Sequence, residues 1–430
     1  MKMPKKGLAL LVTALVWLGL GAAPPARAAD PTLSLEQALE RTYRDNPALW
    51  QLRQGQEIAK ARMLQAGLGP NPEFTFVGED LVGSSAFTAD RFTQFTAGMA
   101  QTLVFGDKIG HRVRLAQLQQ QLLYWDYRVR LQELGAMVYR DYARLVNLRA
   151  ELVTLNELRA YAQEVHDLLS RAVAAGRLAP SVLLASEQAV RSQETEMARL
   201  KLQAQAEAQE LAALWGGTAD FDQLGASLEL SQPDGLEKLE RALAQHPRLA
   251  RWQTEQQQRE AALAAAQAQS APNVQLSGGL RYHPPLDWGL VFSLGIPLPL
   301  ADRNQGNIQE AELRAQMWSK ERELEARTLL NQLHRAYDQA EGKARLVALL
   351  AQQVNLALAQ RSAALKSFQG GKTSYLEVLN ADQNLFQFRR QQVDAEGERL
   401  LAVIEVLALT RELLPEPMAQ NSPVSSPEVR

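Results

Sequence analysis

From about Asp107 to Arg171 the chain has no proline, and apolar residues recur at alternating steps of three and four. They are Leu115, Leu118, Leu122, Trp125 and Val129 and, after a polar slip at Gln132, Ala136, Tyr139, Ala143, Val146, Ala150 and Val153. A period of about 3.5 residues predicts a coiled-coil helix. At about 1.5 Å per residue it reaches roughly 90–100 Å, whereas globular helices seldom pass about 25 residues. A partner rich in Ala, Gln, Glu and Leu follows from Ser181 to Trp215. Residues 304–368 are again proline-free, and 375–414 form their return helix. Two more helices are expected at Ser34–Ala66, opening with the capping-box sequence Ser34-Leu35-Glu36-Gln37, and at Leu236–Gln269.

Between the helices the period changes from 3.5 to two. Trp288, Leu290, Phe292, Leu294, Ile296 and Leu298 are large and apolar, and the interleaved Asp287, Gly289, Val291, Ser293, Gly295 and Pro297 are mostly small or polar. Such alternation predicts a strand with one apolar face, here over 287–298. A strand over 273–282 precedes it, with Val274, Leu276, Leu280 and Tyr282 on one parity and a turn at His283-Pro284-Pro285-Leu286. The first half offers strands over 73–82 and 92–105, joined by a Gly83-Ser84-Ser85 loop. A soluble hairpin packed on a helix would show the same alternation. The length favours tilted membrane strands, which need about 9–11 residues. Four such strands cannot close a barrel, and an open edge cannot lie in lipid, so the chain must oligomerise if they span a bilayer. Three copies would supply twelve strands.

The two halves repeat one another at a spacing of about 195 to 200 residues. Asp45-Asn46-Pro47 and Pro70-Asn71-Pro72 correspond to Gln245-His246-Pro247 and Ala271-Pro272-Asn273, and the stretch from Ala175 to Gln188 corresponds to Gly370 to Gln383. Landmarks in one order predict a duplicated unit and a pseudo-twofold protomer. The first repeat is placed at 29–225 and the second at 226–414, followed by a disordered tail over 415–430.

The N-terminus adds a destination. Lys2, Lys5 and Lys6 precede an apolar run from Leu8 to Ala23, and Ala26-Arg27-Ala28 is a signal-peptidase site, so residues 1–28 read as a cleaved secretory signal. The run is short for a membrane anchor. Its removal leaves 42 basic and 48 acidic residues, a balance that argues against nucleic acid. No apolar run near 20 residues follows, so no transmembrane helix is expected. The absence of cysteine excludes disulfides, thiolate metal sites and lipidation through an N-terminal cysteine.

With these features in place, the chain resembles the TolC-type outer-membrane efflux family, the outer membrane factors of tripartite pumps, from about Leu33 to Leu414. The resemblance rests on Asn46-Pro47, on Pro70-Asn71-Pro72-Glu73, and on the returns that begin at Gly176 and Gly371, the second reading Glu377-Val378-Leu379-Asn380-Ala381-Asp382-Gln383. The stretch Ile296-Pro297-Leu298-Pro299-Leu300-Ala301-Asp302-Arg303-Asn304-Gln305-Gly306-Asn307-Ile308 is similar to the strand-to-helix junction of the cobalt-zinc-cadmium-type, heavy-metal branch, and Phe105-Gly106-Asp107-Lys108 to its first-half counterpart. The resemblance implies a mostly α fold with a small β part: a long α-helical barrel plus four strands per protomer, completing a twelve-stranded barrel in a homotrimer. It implies an outer-membrane location reaching into the periplasm, a periplasmic adaptor, an inner-membrane proton-driven pump, and a passive channel with no catalytic residue or cofactor. The family's second-half pair of aperture acids falls on Glu377 and Asn380, so one acid remains, and the first-half equivalent is Val182.

The candidate positions fall into two groups. At the periplasmic turns, Gly176, Gly370 and Gly371 are expected to end the long helices in left-handed conformations, and Pro180 suits a first helical turn. Ser374 to Glu377 reads either as a capping box or as the start of a lumen-facing acid ring. On the strands, Leu290, Phe292 and Leu294 are candidates for the lipid face, and Tyr282, Trp288 and Phe292 for an aromatic girdle rather than ordinary strand packing. The five histidines, His111, His166, His246, His283 and His334, show no ligand spacing, and the methionines form no copper(I) pairs, so no metal site is expected. Two other readings remain. A periplasmic coiled-coil adaptor would have only a short soluble β-region, and an outer membrane factor for drugs or secreted protein would share this architecture. No nucleophile–base set or phosphate loop points to an enzyme.

Overall fold

A computed structural model describes residues 32–81, 93–221, 223–225, 228–284, 287–411 and 413. The signal, the Gly83-Ser84-Ser85 loop, Pro285, Leu286 and the tail over 415–430 lie outside these. The described residues open with a short strand β1 (Thr32–Leu33) and helix α1 (Leu35–Asp45). The Ser34 capping box is formed: its Oγ accepts from the Gln37 N–H at 3.2 Å, and the Gln37 Oε1 accepts from the Ser34 N–H at 3.0 Å.

Each opening helix is two helices, not the continuous one expected. After α1 comes α2 (Pro47–Ala66), and in the second half α5 (Leu236–Leu243) is followed by α6 (Pro247–Ala268). The residue before a proline is pushed out of the helical region, and Asn46 and His246 sit at ψ 123 and 134. Their side chains recover the loss as N-caps. The Asn46 Oδ1 accepts from the Ala48 and Leu49 N–H groups at 2.9 and 3.3 Å, and the His246 Nδ1 accepts from the Arg248 N–H at 3.3 Å. Both also reach the end of a return helix, Asn46 donating to the Leu214 carbonyl at 2.6 Å and His246 bonding the Ala408 backbone.

Burial, aided by Arg248, lowers the His246 pKa to about 4, so the capping imidazole is neutral. The unfolded chain binds that proton more readily, so this stabilisation is complete above pH 6.5 and is lost as pH falls towards 4. The loss amounts to about 3 kcal/mol at most. His246→Asn should keep the cap and remove this component in thermal unfolding of the protein. An unchanged acid-side loss in the variant would refute the assignment.

The four long helices are α3 (Lys108–Ala174), α4 (Pro180–Ala213), α7 (Gln305–Gln369) and α8 (Tyr375–Thr410). They pair as hairpins α3–α4 and α7–α8, and α3 also packs on α2, α6 and α8. Asp107 and Asn304, directly before the two longest helices, are left-handed at φ 51 and 61, a conformation that short polar side chains tolerate. The buried seam of α3 differs from the expected one. Of the predicted stripe only Leu118, Ala136 and Ala143 are buried, and Val153 is 62% exposed. The seam instead follows Leu134, Val138, Leu145, Leu148, Leu155, Leu158, Ala162, Val165 and Leu169. A helix with neighbours on several sides buries more than one face, and a single stripe cannot describe it. Gln132, the polar slip, is buried and holds the end of α8, donating to the Ala408 and Arg411 carbonyls at 2.7 and 2.5 Å.

A four-stranded antiparallel sheet stands at one end, formed by β2 (Glu73–Glu79), β3 (Gln94–Leu103), β5 (Val274–His283) and β6 (Asp287–Gly295) in the order β2-β3-β5-β6. A small parallel pair joins β1 to β4 (Gln223–Leu224). The hairpins of the two halves meet at β3–β5. At that seam Gly98 faces Gly279, and a Cβ on either would lie 2.8 or 2.6 Å from a backbone oxygen of the other strand. Strand β6 stops at Gly295, short of the expected 298, because Pro297 has no N–H to give a ladder. Among the described residues the sheet is open, with β2 and β6 as edges.

Candidate functional site: the sheet wall and the helix tips

The strand register sorts every sheet residue onto one of two faces, since paired residues share a face. One face carries the rungs Gly78–Phe95–Tyr282–Trp288, Phe76–Ala97–Leu280–Leu290 and Phe74–Met99–Gly278–Phe292, then Gln101–Leu276–Leu294. It is apolar almost throughout and bare, with Leu290 72% and Phe292 81% exposed. Tyr282 and Trp288 meet at 4.9 Å between ring centroids with their planes tilted by 44°, and Phe76 and Phe95 stack at 6.1 Å, at the end away from the helices. The opposite face carries Glu73–Ala100–Ser277–Ser293, Thr75–Gly98–Gly279–Val291 and Val77–Thr96–Arg281–Gly289, with Glu79, His283 and Asp287 beyond them. An exposed apolar face this large marks a surface that meets something other than water.

At the far end of the long helices the two returns are built alike. In the first, Gly176 has φ +67, its N–H donates to the Val173 carbonyl at 2.9 Å, and the Arg177 N–H donates to the Ala172 carbonyl at 2.9 Å. In the second, Gly371 has φ +68 and the Gly371 and Lys372 N–H groups reach Phe368 and Ser367, each at 2.9 Å. Both are Schellman motifs, which need a residue at positive φ. Gly370 differs from expectation: its φ is −79, so it closes the helix without left-handed backbone. Pro180 occupies the first position of α4.

The capping box at Ser374 is not formed, since that side chain accepts no cap hydrogen bond. Glu377 and Asn380 are exposed one turn into α8. Val182, at the repeat position of Glu377, is packed with Leu178, Phe368 and Tyr375 around Val165, Leu169 and Val378. The tips therefore share one apolar cluster, and of the aligned positions Val182 and Glu377 only Glu377 is an acid.

The family description "Outer membrane efflux protein" matches residues 35–217 and again 239–410. The chain belongs to the outer membrane efflux protein family. As such it is a transport protein and not an enzyme. It is 26% identical over 386 residues to the cobalt-zinc-cadmium resistance protein CzcC of Cupriavidus metallidurans, covering 89% of this chain and 90% of that protein. Its fold is that of the crystal structures of CusC (TM-score 0.73, 20% identity, 88% of this chain and 92% of that one) and of VceC from Vibrio cholerae (0.73, 18%, 88% and 96%).

This efflux protein also holds a buried ionic cluster above the tips that its sequence did not announce. Arg361 of α7 donates through Nε to the Asp382 Oδ1 of α8 at 2.8 Å and through Nη2 to the Glu164 Oε2 of α3 at 2.9 Å. Its guanidinium lies 4.2 Å from the centroid of the Tyr161 ring. Arg361 and Asp382 are buried, and burial raises the Asp382 pKa against the pull of Arg361. Asp382 was visible as the acid of the second return, but its partner lies 21 residues away and Glu164 lies 197 from Arg361. Among the described residues no group of three His, Cys, Asp or Glu side chains is placed to hold a metal, and no helix is long and apolar enough to cross a membrane.

Proposed function

We propose that this protein is the outer-membrane channel of a tripartite efflux system, a passive homotrimeric conduit that exports divalent heavy-metal cations. The observation that carries the reading is the open sheet with one continuous apolar face, standing on helices of 67 and 65 residues. In lipid, unpaired edge N–H and C=O groups cost several kcal/mol each. Strands β2 and β6 therefore call for copies of the chain, and three copies make a twelve-stranded barrel. The helices, about 100 Å long, continue the conduit into the periplasm, where the tips meet a periplasmic adaptor coupled to an inner-membrane, proton-driven pump. Residues 1–28 direct secretion and are cleaved. The metal substrate is supported by the likeness to a cobalt-zinc-cadmium resistance protein. At the tips, exposed Glu377, with no capping bond at Ser374, would ring the periplasmic aperture.

Cross-linking and native mass measurement of the detergent-extracted protein test the assembly. A trimer is expected, and a monodisperse monomer with intact secondary structure would sink the barrel. Deleting the gene should raise cell-associated zinc, cobalt or cadmium. Unchanged metal content with new drug sensitivity would move the substrate class.

A further inference from the structure

We infer that the barrel wall, and not only the periplasmic aperture, selects for cations, through Glu73 and Asp287 on the polar face of the sheet. The inference rests on the trimeric-channel reading, which turns the apolar face to lipid and the polar face to the lumen. The middle rung of that polar face, Thr75–Gly98–Gly279–Val291, is uncharged and of modest size, and the rungs on either side of it carry Glu73 and Arg281. That rung offers a solute no charge to bind. Discrimination along this stretch must come from charge.

The charges sit toward the ends, and they do not balance. Among the described strand residues the polar face has three carboxylates, Glu73, Glu79 and Asp287, and one guanidinium, Arg281. Arg281 is committed locally: its Nη2 lies 3.2 Å from the Glu79 Oε2, and its Nε donates to the Thr96 Oγ1 at 3.0 Å. That pair cancels itself. Asp287, opposite His283 at the outer end of the β5–β6 ladder, and Glu73, at the start of β2 on the rung of Ser277 and Ser293, have no cation partner among the described residues. Three copies would set two rings of three carboxylates at different heights of one pore. Fixed charge rings of this kind raise the local concentration of counter-ions and favour cations through an otherwise neutral passage. A divalent cation would respond more strongly than a monovalent one, since the attraction scales with its charge.

The test is the reversal potential of trimers in planar bilayers under a potassium chloride gradient at low ionic strength, where screening is weak. The wild type should prefer potassium over chloride. Glu73→Gln with Asp287→Asn should lower that permeability ratio by about twofold or more, an effect that fades as salt screens the rings. Glu79→Gln, which strips Arg281 of its partner, should shift selectivity toward chloride as well. Glu377→Gln separates the two loci: if it alone abolishes the preference while the double lumen variant keeps the wild-type ratio, the inference is overturned. An unselective wild-type channel overturns it too. A trimer that never conducts would instead defeat the channel reading itself, so the two failures are distinguishable.

Discussion

Phe292→Arg should prevent stable assembly, whereas Ser293→Arg one residue away should leave it intact. Phe292 stands on the apolar rung with Phe74 and Met99 and is 81% exposed in the protomer. On the proposed lipid-facing side, an arginine near mid-bilayer costs roughly 2–4 kcal/mol, and a homotrimer bears that cost three times. Ser293 pairs with Ser277 on the polar face, where the guanidinium would lie in water. The measurement is the fraction of protein running as folded trimer after extraction, together with its unfolding midpoint in denaturant. Equal damage at both positions, or none at Phe292, would mean that the two faces have been assigned the wrong surroundings.

Arg361→Ala should be the most damaging single change in the helical part. It leaves Asp382, whose side chain is 7% exposed, buried without its cation, and breaking a buried pair from one side costs about 3–5 kcal/mol. The damage should depend on pH in a definite direction. Burial already raises the Asp382 pKa above its unfolded value, and losing Arg361 removes the main influence holding it down. A carboxyl with a raised folded pKa contributes stability below the unfolded value and loses it as pH rises. The Arg361→Ala defect should therefore be largest at neutral pH and shrink on acidification. Adding Asp382→Leu to Arg361→Met should restore most of the stability, because an apolar pair leaves no stranded charge. A neutral-pH loss below about 1 kcal/mol, or a loss that ignores pH, would show that the cluster is incidental.

The most legible parts of this protein in its sequence are those governed by neighbours along the chain. Strict alternation from Trp288 to Leu294 specifies which side chains share a face, because a strand has a period of two whatever it packs against. Ser34 to Gln37 specify a helix start, since both hydrogen bonds of the box close within three residues. The glycines at 176 and 371 specify the ends of the long helices because the turn needs a positive φ. The proline breaks after Asn46 and His246 are just as local, since a proline pushes the residue before it out of the helical region, and the continuous helices expected there overlooked them.

What the tertiary structure decided is what depends on partners far along the chain. Which side of α3 is buried is set by α2, α4, α6 and α8 together, so a stripe read as one seam proved to be only partly buried. The pairing of β3 with β5 joins residues such as Thr96 and Arg281, and no local pattern encodes that edge-to-edge choice. The Ser374 cap was replaced by a tip in which Val182, Phe368 and Tyr375 pack together. Arg361 looked like any helical arginine until folding brought α3 and α8 to it, because burial and pairing of charge are properties of an assembled interface and not of a sequence window.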